Sequence, residues 1–467
     1  MPDSEEDGRT VSSPVLERPV LDQPASSMPD VEHYARNLIG GQWQFPAAPY
    51  DFEIRNPHNS TVTAVVPLSS RFDVSEAIAA AQIALHESWA DQEVRDRLLH
   101  ALVSAIGANL QDLAHLQCTE TGLSFADSLL AVEITAGLAR SLVDSGAPDP
   151  VRPASGVSSH ILSWGLPFTE VITSVLPCLI RGDTVVVKPS LRGPLTPIAF
   201  GLLATKVGLP PGVVNIVQGN GTDVGSELIC RRELTSLHVR AGERTIAQAE
   251  RAHERSRVPL HTLRGGGNVM VVGPDSEPDA IAIAGSVAAG VRIHSCGGPF
   301  GVPLLAIHRE IAGPILAEVM VQLSNVVTAP LPAESLRMHA LNRIAALRDA
   351  GAEILLGGTG LPDDIEHRMG WSMPPTVLML GTAGSPAVLV DQASVPMGPI
   401  LGVITWTTQA ELTSIFTAVR AGQGIAAVWG IGDDAQFLPH GLIVSGATSS
   451  WPQPVTRLPA AWIGGSQ

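Results

Sequence analysis

From about residue 35 the apolar positions fall into helical and strand periods that alternate along the chain. Val74 to Trp89 is rich in alanine and places its apolar residues at helical spacing. Leu98, Leu99, Leu102, Ile106, Leu110 and Leu113 then follow along one face of a second predicted helix. Thr184-Val185-Val186-Val187 is a short β-branched run, as expected of a strand buried on both faces. Leu195, Ile198, Leu202 and Leu203 form a helical stripe that Gly208-Leu209-Pro210-Pro211-Gly212 ends. Val213 to Val217 is a second buried strand, after which Gly219-Asn220-Gly221-Thr222-Asp223-Val224-Gly225 opens another helix. Strand, helix, strand and glycine loop in that order predict a parallel sheet with right-handed crossovers.

The first 34 residues read differently, being acidic and rich in Pro and Ser with no apolar run. Such a stretch buries too little surface to offset the entropy of ordering, so a disordered tail is expected. It also lacks the basic start and apolar core of a signal peptide. The most apolar later stretch, Ile161 to Val187, is interrupted by Pro167, Glu170, Pro177, Arg181 and Asp183. No membrane span is therefore expected, and a soluble, cytoplasmic protein is.

Composition narrows the picture further. A length of 467 residues suits two α/β domains better than one core. With 45% hydrophobic and 16% charged residues, a wholly disordered chain is excluded. A net charge of −16 argues against nucleic acid and anionic membranes as partners. Cys118, Cys178, Cys230 and Cys296 are scattered without CxxC spacing, which argues for a reducing compartment and against a disulfide framework or a zinc cluster. No metal site is predicted.

The glycine loop carries candidate chemistry. Glycines between a strand's carboxyl end and a helix let backbone approach a ligand, and the helix N-terminus favours an anion such as a pyrophosphate. The spacing is G-x-G-x-x-x-G, which differs from the dinucleotide fingerprint, so a plain turn between strand and helix stays open.

Segments in a fixed order along nearly the whole chain resemble the aldehyde dehydrogenase superfamily. Leu38-Ile39-Gly40-Gly41-Gln42-Trp43 with Asn56-Pro57 is similar to its "IGGxW…NP" opening, and Glu120-Thr121-Gly122 to "ETGK" without the Lys. Val186-Val187-Lys188-Pro189-Ser190 with Pro194-Leu195-Thr196 resembles "VVxKPxExTPLT", and Gly208 to Val217 resembles "GLPPGVVNVV". Gly265-Gly266, Gly398-Pro399-Ile400 and Ala427-Val428-Trp429 continue the series to about residue 430. The resemblance implies an α/β aldehyde dehydrogenase-like fold, with a Rossmann-type NAD(P)-binding domain over 35–261 and a catalytic thiol domain over 262–446. The disordered tail would occupy 1–34 and a truncated C-terminal segment 447–467.

It also implies a thiolate mechanism on a small aldehyde or acyl substrate, with NAD or NADP as cofactor. A Cys attacks the carbonyl, an Asn steadies the oxyanion, hydride leaves for the nicotinamide, and a Glu activates water. By position, Lys188 would contact the cofactor ribose, Gly219, Gly221 and Gly225 would line its loop, and Trp164 would adjoin it. Other positions depart from the pattern. The ribose Glu falls on Leu191, the oxyanion Asn on Gly165, the base Glu on Leu263 and the Glu of "EIFGP" on Val395. The "FTGS" cofactor loop becomes His238-Val239-Arg240-Ala241-Gly242.

The nucleophile would be Cys296, reached within one residue by counting from Gly265-Gly266. A short insertion, Gly297-Gly298-Pro299, reconciles this with the strand at Leu304 to His308. His294 would lower the thiol pKa if both side chains face one cleft, as strand alternation would permit. A buried structural cysteine is the alternative.

Between Gly122 and Trp164 the chain is shorter than the family pattern, at the place of its protruding hairpin. It also stops soon after Trp462-Ile463-Gly464-Gly465, where the strand that pairs with that hairpin would follow. Losing both together avoids an exposed edge, so the family-type dimer is not expected. Three readings follow: an altered NAD(P)-linked aldehyde oxidoreductase, a pseudoenzyme binding a partner or metabolite, and an acylating, coenzyme A-dependent relative.

Overall fold

The structure, a computed structural model, describes residues 31–47, 50–146, 156–264, 268–274, 280–295, 301–326, 328–358, 370–382, 384–385, 397–418, 425–429 and 442–445. The chain opens with α1 (Val31–Tyr34), β1 (Asn37–Ile39), β2 (Gln42–Gln44) and an antiparallel pair, β3 (Asp51–Arg55) and β4 (Val62–Pro67). Four helices follow: α2 (Arg71–Glu87), α3 (Gln92–Ala108), α4 (Leu110–Thr121) and α5 (Phe125–Ser145). The central unit is β5 (Val157–Ile161), α6 (Pro167–Arg181), β6 (Thr184–Lys188), α7 (Leu195–Lys206) and β7 (Val214–Ile216). It is completed by α8 (Ser226–Cys230), β8 (Ser236–Ala241), α9 (Glu243–Ser256) and β9 (Leu260–Arg264).

These strands form one sheet in the order β2-β1-β7-β6-β5-β8-β9. β5 to β9 run parallel, and β1 joins β7 antiparallel. The β-branched run at 184–187 is fully buried because helices cover both sheet faces. Val185 and Val187 pack with α3 to α7, while Val186 packs with α2, α8 and α9.

A second sheet holds the rest, in the order β12-β13-β14-β11-β10-β15-β16. Its elements are β10 (Val269–Val272), α10 (Ala280–Ser295), β11 (Leu304–His308), α11 (Ala312–Ser324), α12 (Glu334–Asp349), β12 (Glu353–Leu356) and β13 (Thr376–Gly381). Then come β14 (Ile400–Trp406), α13 (Gln409–Ala418), β15 (Ile425–Trp429) and β16 (Leu442–Ser445). Only β12 runs antiparallel to its neighbour.

Three expected boundaries move. Tyr34 is buried with Ile54, Val66, Leu195 and Ile198, so the core takes in α1, inside the stretch assigned to the tail. Residues 1–30 and 447–467 lie outside the described residues. The apolar stripe from Leu98 to Leu113 spans two helices. The Asn109 side chain donates to the Ala105 carbonyl at 2.7 Å, and the chain turns there between α3 and α4. β9 straddles residue 261 and pairs with β8, so the first sheet extends to Arg264. No described helix is long and apolar enough to cross a membrane.

Candidate active site

Because β5 to β8 are parallel, their carboxyl ends share one edge, the edge at which open α/β sheets bind ligands. Lys188 ends β6 and is buried, its Nζ donating to the Pro189 carbonyl at 3.0 Å. Burial pushes its pKa down to about 8. An ammonium has three donors, and this bond uses one of them.

The glycine loop follows β7. The Asn220 side chain accepts the Asp223 N–H at 2.7 Å and so caps the wide turn Gly221–Gly225 that leads into α8. A Cβ on Gly219 would run into Val224, and one on Gly225 would stand 3.7 Å from Lys188 Cε. Gly221 faces open space. The turn therefore requires glycine at Gly219, lies against the lysine at Gly225 and opens outward at Gly221. Trp164 is buried in the loop after β5, and Leu166 enters α6 with φ 77°, a left-handed conformation that strains a non-glycine residue. The structure thus brings Lys188 and Gly225 together, with Gly219, Gly221 and Trp164 on the same edge.

Other expectations change. Cys296, Gly265, Gly266 and Val395 lie outside the described residues. His294 is helical, in the last turn of α10, so the strand alternation by which it would face Cys296 does not apply to it. Leu191 packs against the apolar cluster around Tyr34 and Leu195. Leu263 is buried in β9, in register with Arg240. The stretch from His238 to Ala241 is strand β8, so only Gly242 of the expected cofactor loop lies between strand and helix.

That register exposes residues the motif reading missed. His160, His238 and His261 stand in a row across β5, β8 and β9, with successive ring centroids 4.5 Å apart. α6 covers them with polar side chains. Ser174 bonds His160 Nδ1 at 2.9 Å, and Cys178 Sγ stands 3.6 Å from His238 Nε2. Arg181 donates to the same sulfur at 3.0 Å. Further along, Arg240 donates to Thr173 and pairs with Glu170 at 3.5 Å, with both ions buried. The signal was available: Ser236-Leu237-His238-Val239-Arg240-Ala241 alternates polar and apolar residues, the pattern of one polar-lined strand face.

Two sheets of mainly parallel strands, helices on both faces and a glycine turn beside a buried lysine define an open, doubly wound α/β protein. The aldehyde dehydrogenase family model matches residues 43–435, and the chain belongs to that family. It is 27% identical over 436 residues to 2-hydroxymuconic semialdehyde dehydrogenase of Pseudomonas sp. (strain CF600), covering 86% of this chain and 87% of that protein. It is 26% identical over 420 residues to betaine aldehyde dehydrogenase of Bacillus subtilis (strain 168), covering 84% of each. Among solved structures, a mutant aldehyde dehydrogenase C of Pseudomonas syringae, in complex with NAD+ and octanal, superposes with a TM-score of 0.80 at 24% identity. That match covers 91% of this chain and 92% of the other.

Proposed function

We propose that this chain oxidises a small aldehyde with NAD or NADP through Cys296, using altered helper groups. The observation that carries the reading is Lys188, a buried ammonium with donors to spare, set against Gly225 at the carboxyl edge of the sheet. That pair suits the hydroxyls and phosphates of a dinucleotide, with Gly221 opening the loop and Trp164 beside it. The family membership supports the same reading, as does the neighbour solved with NAD+. The bound cofactor supplies the hydride acceptor.

The protein's part begins with the Cys296 sulfur adding to the carbonyl carbon, and it ends with an acyl group held on that sulfur as a thioester. Gly165 brings no side-chain donor to the oxyanion, an omission that typically lowers rate by about 10²–10³. Leu263 brings no carboxylate to take a proton from water. Hydrolysis is therefore slow. A thiol such as coenzyme A, which does not need that base, is the alternative acyl acceptor.

Fluorescence titration of NADH and NADPH tests cofactor binding, and aldehyde-dependent cofactor reduction by wild type and Cys296→Ala tests the nucleophile. Absence of binding for both nucleotides overturns the enzymatic reading and leaves a binding protein. Equal activity of the two proteins removes Cys296 from the mechanism.

A further inference from the structure

A buried thiol and two buried imidazoles converge between the first sheet and α6, on side chains that the proposed reaction does not use. His160 comes from β5, His238 from the in-register position of β8, and Cys178 from the last turn of α6. Their ligand atoms all lie within 4.8 Å of one another. The spacing of 3.6 Å between His238 Nε2 and Cys178 Sγ fits two atoms each about 2.0–2.3 Å from a shared ion. No metal site is expected from the sequence, because cysteine spacing alone does not show a single cysteine meeting histidines from two strands.

We infer that His160, Cys178 and His238 form a binding site for one copper(I) ion. Thiolate and imidazole are the donor types that a soft monovalent cation prefers. Charge decides between metals. On binding, the S–H bond breaks, an S–Cu bond forms and the proton leaves for solvent. No electron is transferred, because the copper arrives as copper(I). One positive charge replaces another, so the charge of this buried layer is unchanged. A divalent ion would add an uncompensated charge beside Arg181, whose guanidinium already donates to the sulfur, and in the field of Arg240. Arg181 in turn pairs with Asp183 at 3.1 Å, which keeps the surroundings of the thiolate balanced.

Ser174 bonds His160 Nδ1 at 2.9 Å, the place of an orienting partner, while Ser158 at 2.9 Å from His160 Nε2 and Ser236 at 3.2 Å from His238 Nε2 occupy the ligating nitrogens. The two rings lie nearly parallel, 14° apart, so each must tilt to aim a lone pair at one ion and release its serine on the Nε2 side. Ser174 on Nδ1 can remain as the orienting partner of His160.

The test is transfer of copper(I) from its bicinchoninate complex to the full-length protein without oxygen, followed by the loss of the complex's colour. One equivalent per chain is expected for wild type, with at least tenfold weaker uptake by Cys178→Ser and by His238→Asn. Cys178→Ser keeps Cys118, Cys230 and Cys296, so it measures what those thiols hold. X-ray absorption of the loaded wild type should show one sulfur and two imidazole nitrogens, and it decides the matter if the variants fail to fold. Uptake equal in wild type and Cys178→Ser overturns the site. So does sulfur-only coordination, or zinc(II) displacing copper(I) from it.

Discussion

Glu120 and Thr196 lie 76 positions apart in sequence and are joined by a 2.6 Å hydrogen bond that starts a helix. The Glu120 carboxylate accepts the Thr196 hydroxyl and also the leading N–H groups of α7, from Leu195 at 2.6 Å and from Thr196 at 3.1 Å. The helix has Pro194 at its own cap position, with no side chain to do this, so a residue from the end of α4 supplies the acceptor.

That arrangement has a stability signature. Burial raises the Glu120 pKa to about 7, against the opposing pull of its hydrogen bonds to Thr196 and Leu195. The folded state therefore holds a proton that the unfolded state releases, and stability is fully present below pH 4.5 and falls as pH rises through about 7. At higher pH the loss from this group is roughly 3 kcal/mol. Glu120→Gln should remove this contribution, so that stability rises more steeply with pH, as His160 and His238 direct, in denaturant melts taken from pH 5 to 8. Glu120→Ala leaves two buried N–H groups unpaired and should lose about 2 kcal/mol or more at every pH. An unchanged slope in Glu120→Gln would show that another group governs the window.

Lys188 behaves in the opposite sense. Its folded pKa of about 8 lies below the ordinary lysine value of 10.5, so between those values the unfolded chain holds a proton there that the folded one has lost. Stability from this group rises with pH between those values, while its charge towards a cofactor phosphate disappears. Nucleotide affinity should therefore weaken as pH passes about 8, and Lys188→Met should bind at least tenfold more weakly with the pH step removed. Titrations by NADH fluorescence at pH 6.5 and 9 check this. A pH step that persists in Lys188→Met would rule the lysine out as its source.

The histidine row predicts acid lability. His160 is held well below the usual imidazole range by burial first, then by Arg240 and Arg181. His238 is lowered by burial, then by its neighbours His160 and His261. Both are neutral when folded and take up protons when unfolded, so stability falls as pH drops below about 6.5. Urea midpoints should fall from pH 7 to 5, because the up to two protons that His160 and His238 take up on unfolding outweigh the one that Glu120 releases, and the slope should drop by about one proton in His160→Asn. Stability that instead falls from pH 5 to 7, the trend of Glu120 alone, would mean that both rings titrate in the folded protein.

How far the sequence reached is clear from these residues. The run at 184–187, the glycine loop and the strand at 213–217 were legible because covering a parallel sheet on both faces leaves apolar runs bounded by glycines. Lys188 was legible through the resemblance, as the Lys of a "KPxE"-like segment. Glu120 was legible only as part of a motif, since nothing local says that its acceptors serve a helix 75 residues on. His160, Cys178, His238, Arg240 and Glu170 were not assembled because they meet across strand register and helix packing. Their sequence sign was a polar alternation within strands, easily read as an exposed face. The split at Asn109 was hidden because both helices bury the same stripe.

Leu263 allows the missing base to be tested by restoring it. The residue is buried in β9 and pairs in register with Arg240, so both side chains project from the same face of the sheet. A carboxyl placed there by Leu263→Glu would lie beside a guanidinium that already holds Glu170, whose own pKa burial raises despite that cation, so it too would be shifted up towards the range of a proton-accepting base. If thioester hydrolysis on Cys296 is slow for lack of a base, the substitution should raise steady-state aldehyde oxidation about tenfold or more. It should leave unchanged the initial burst of reduced cofactor, which reports acyl formation. Rapid mixing of enzyme, cofactor and aldehyde separates the two phases. A faster burst with the same steady rate would place the limiting step before the thioester. A variant that folds but shows neither change would mean that position 263 does not reach the acyl group.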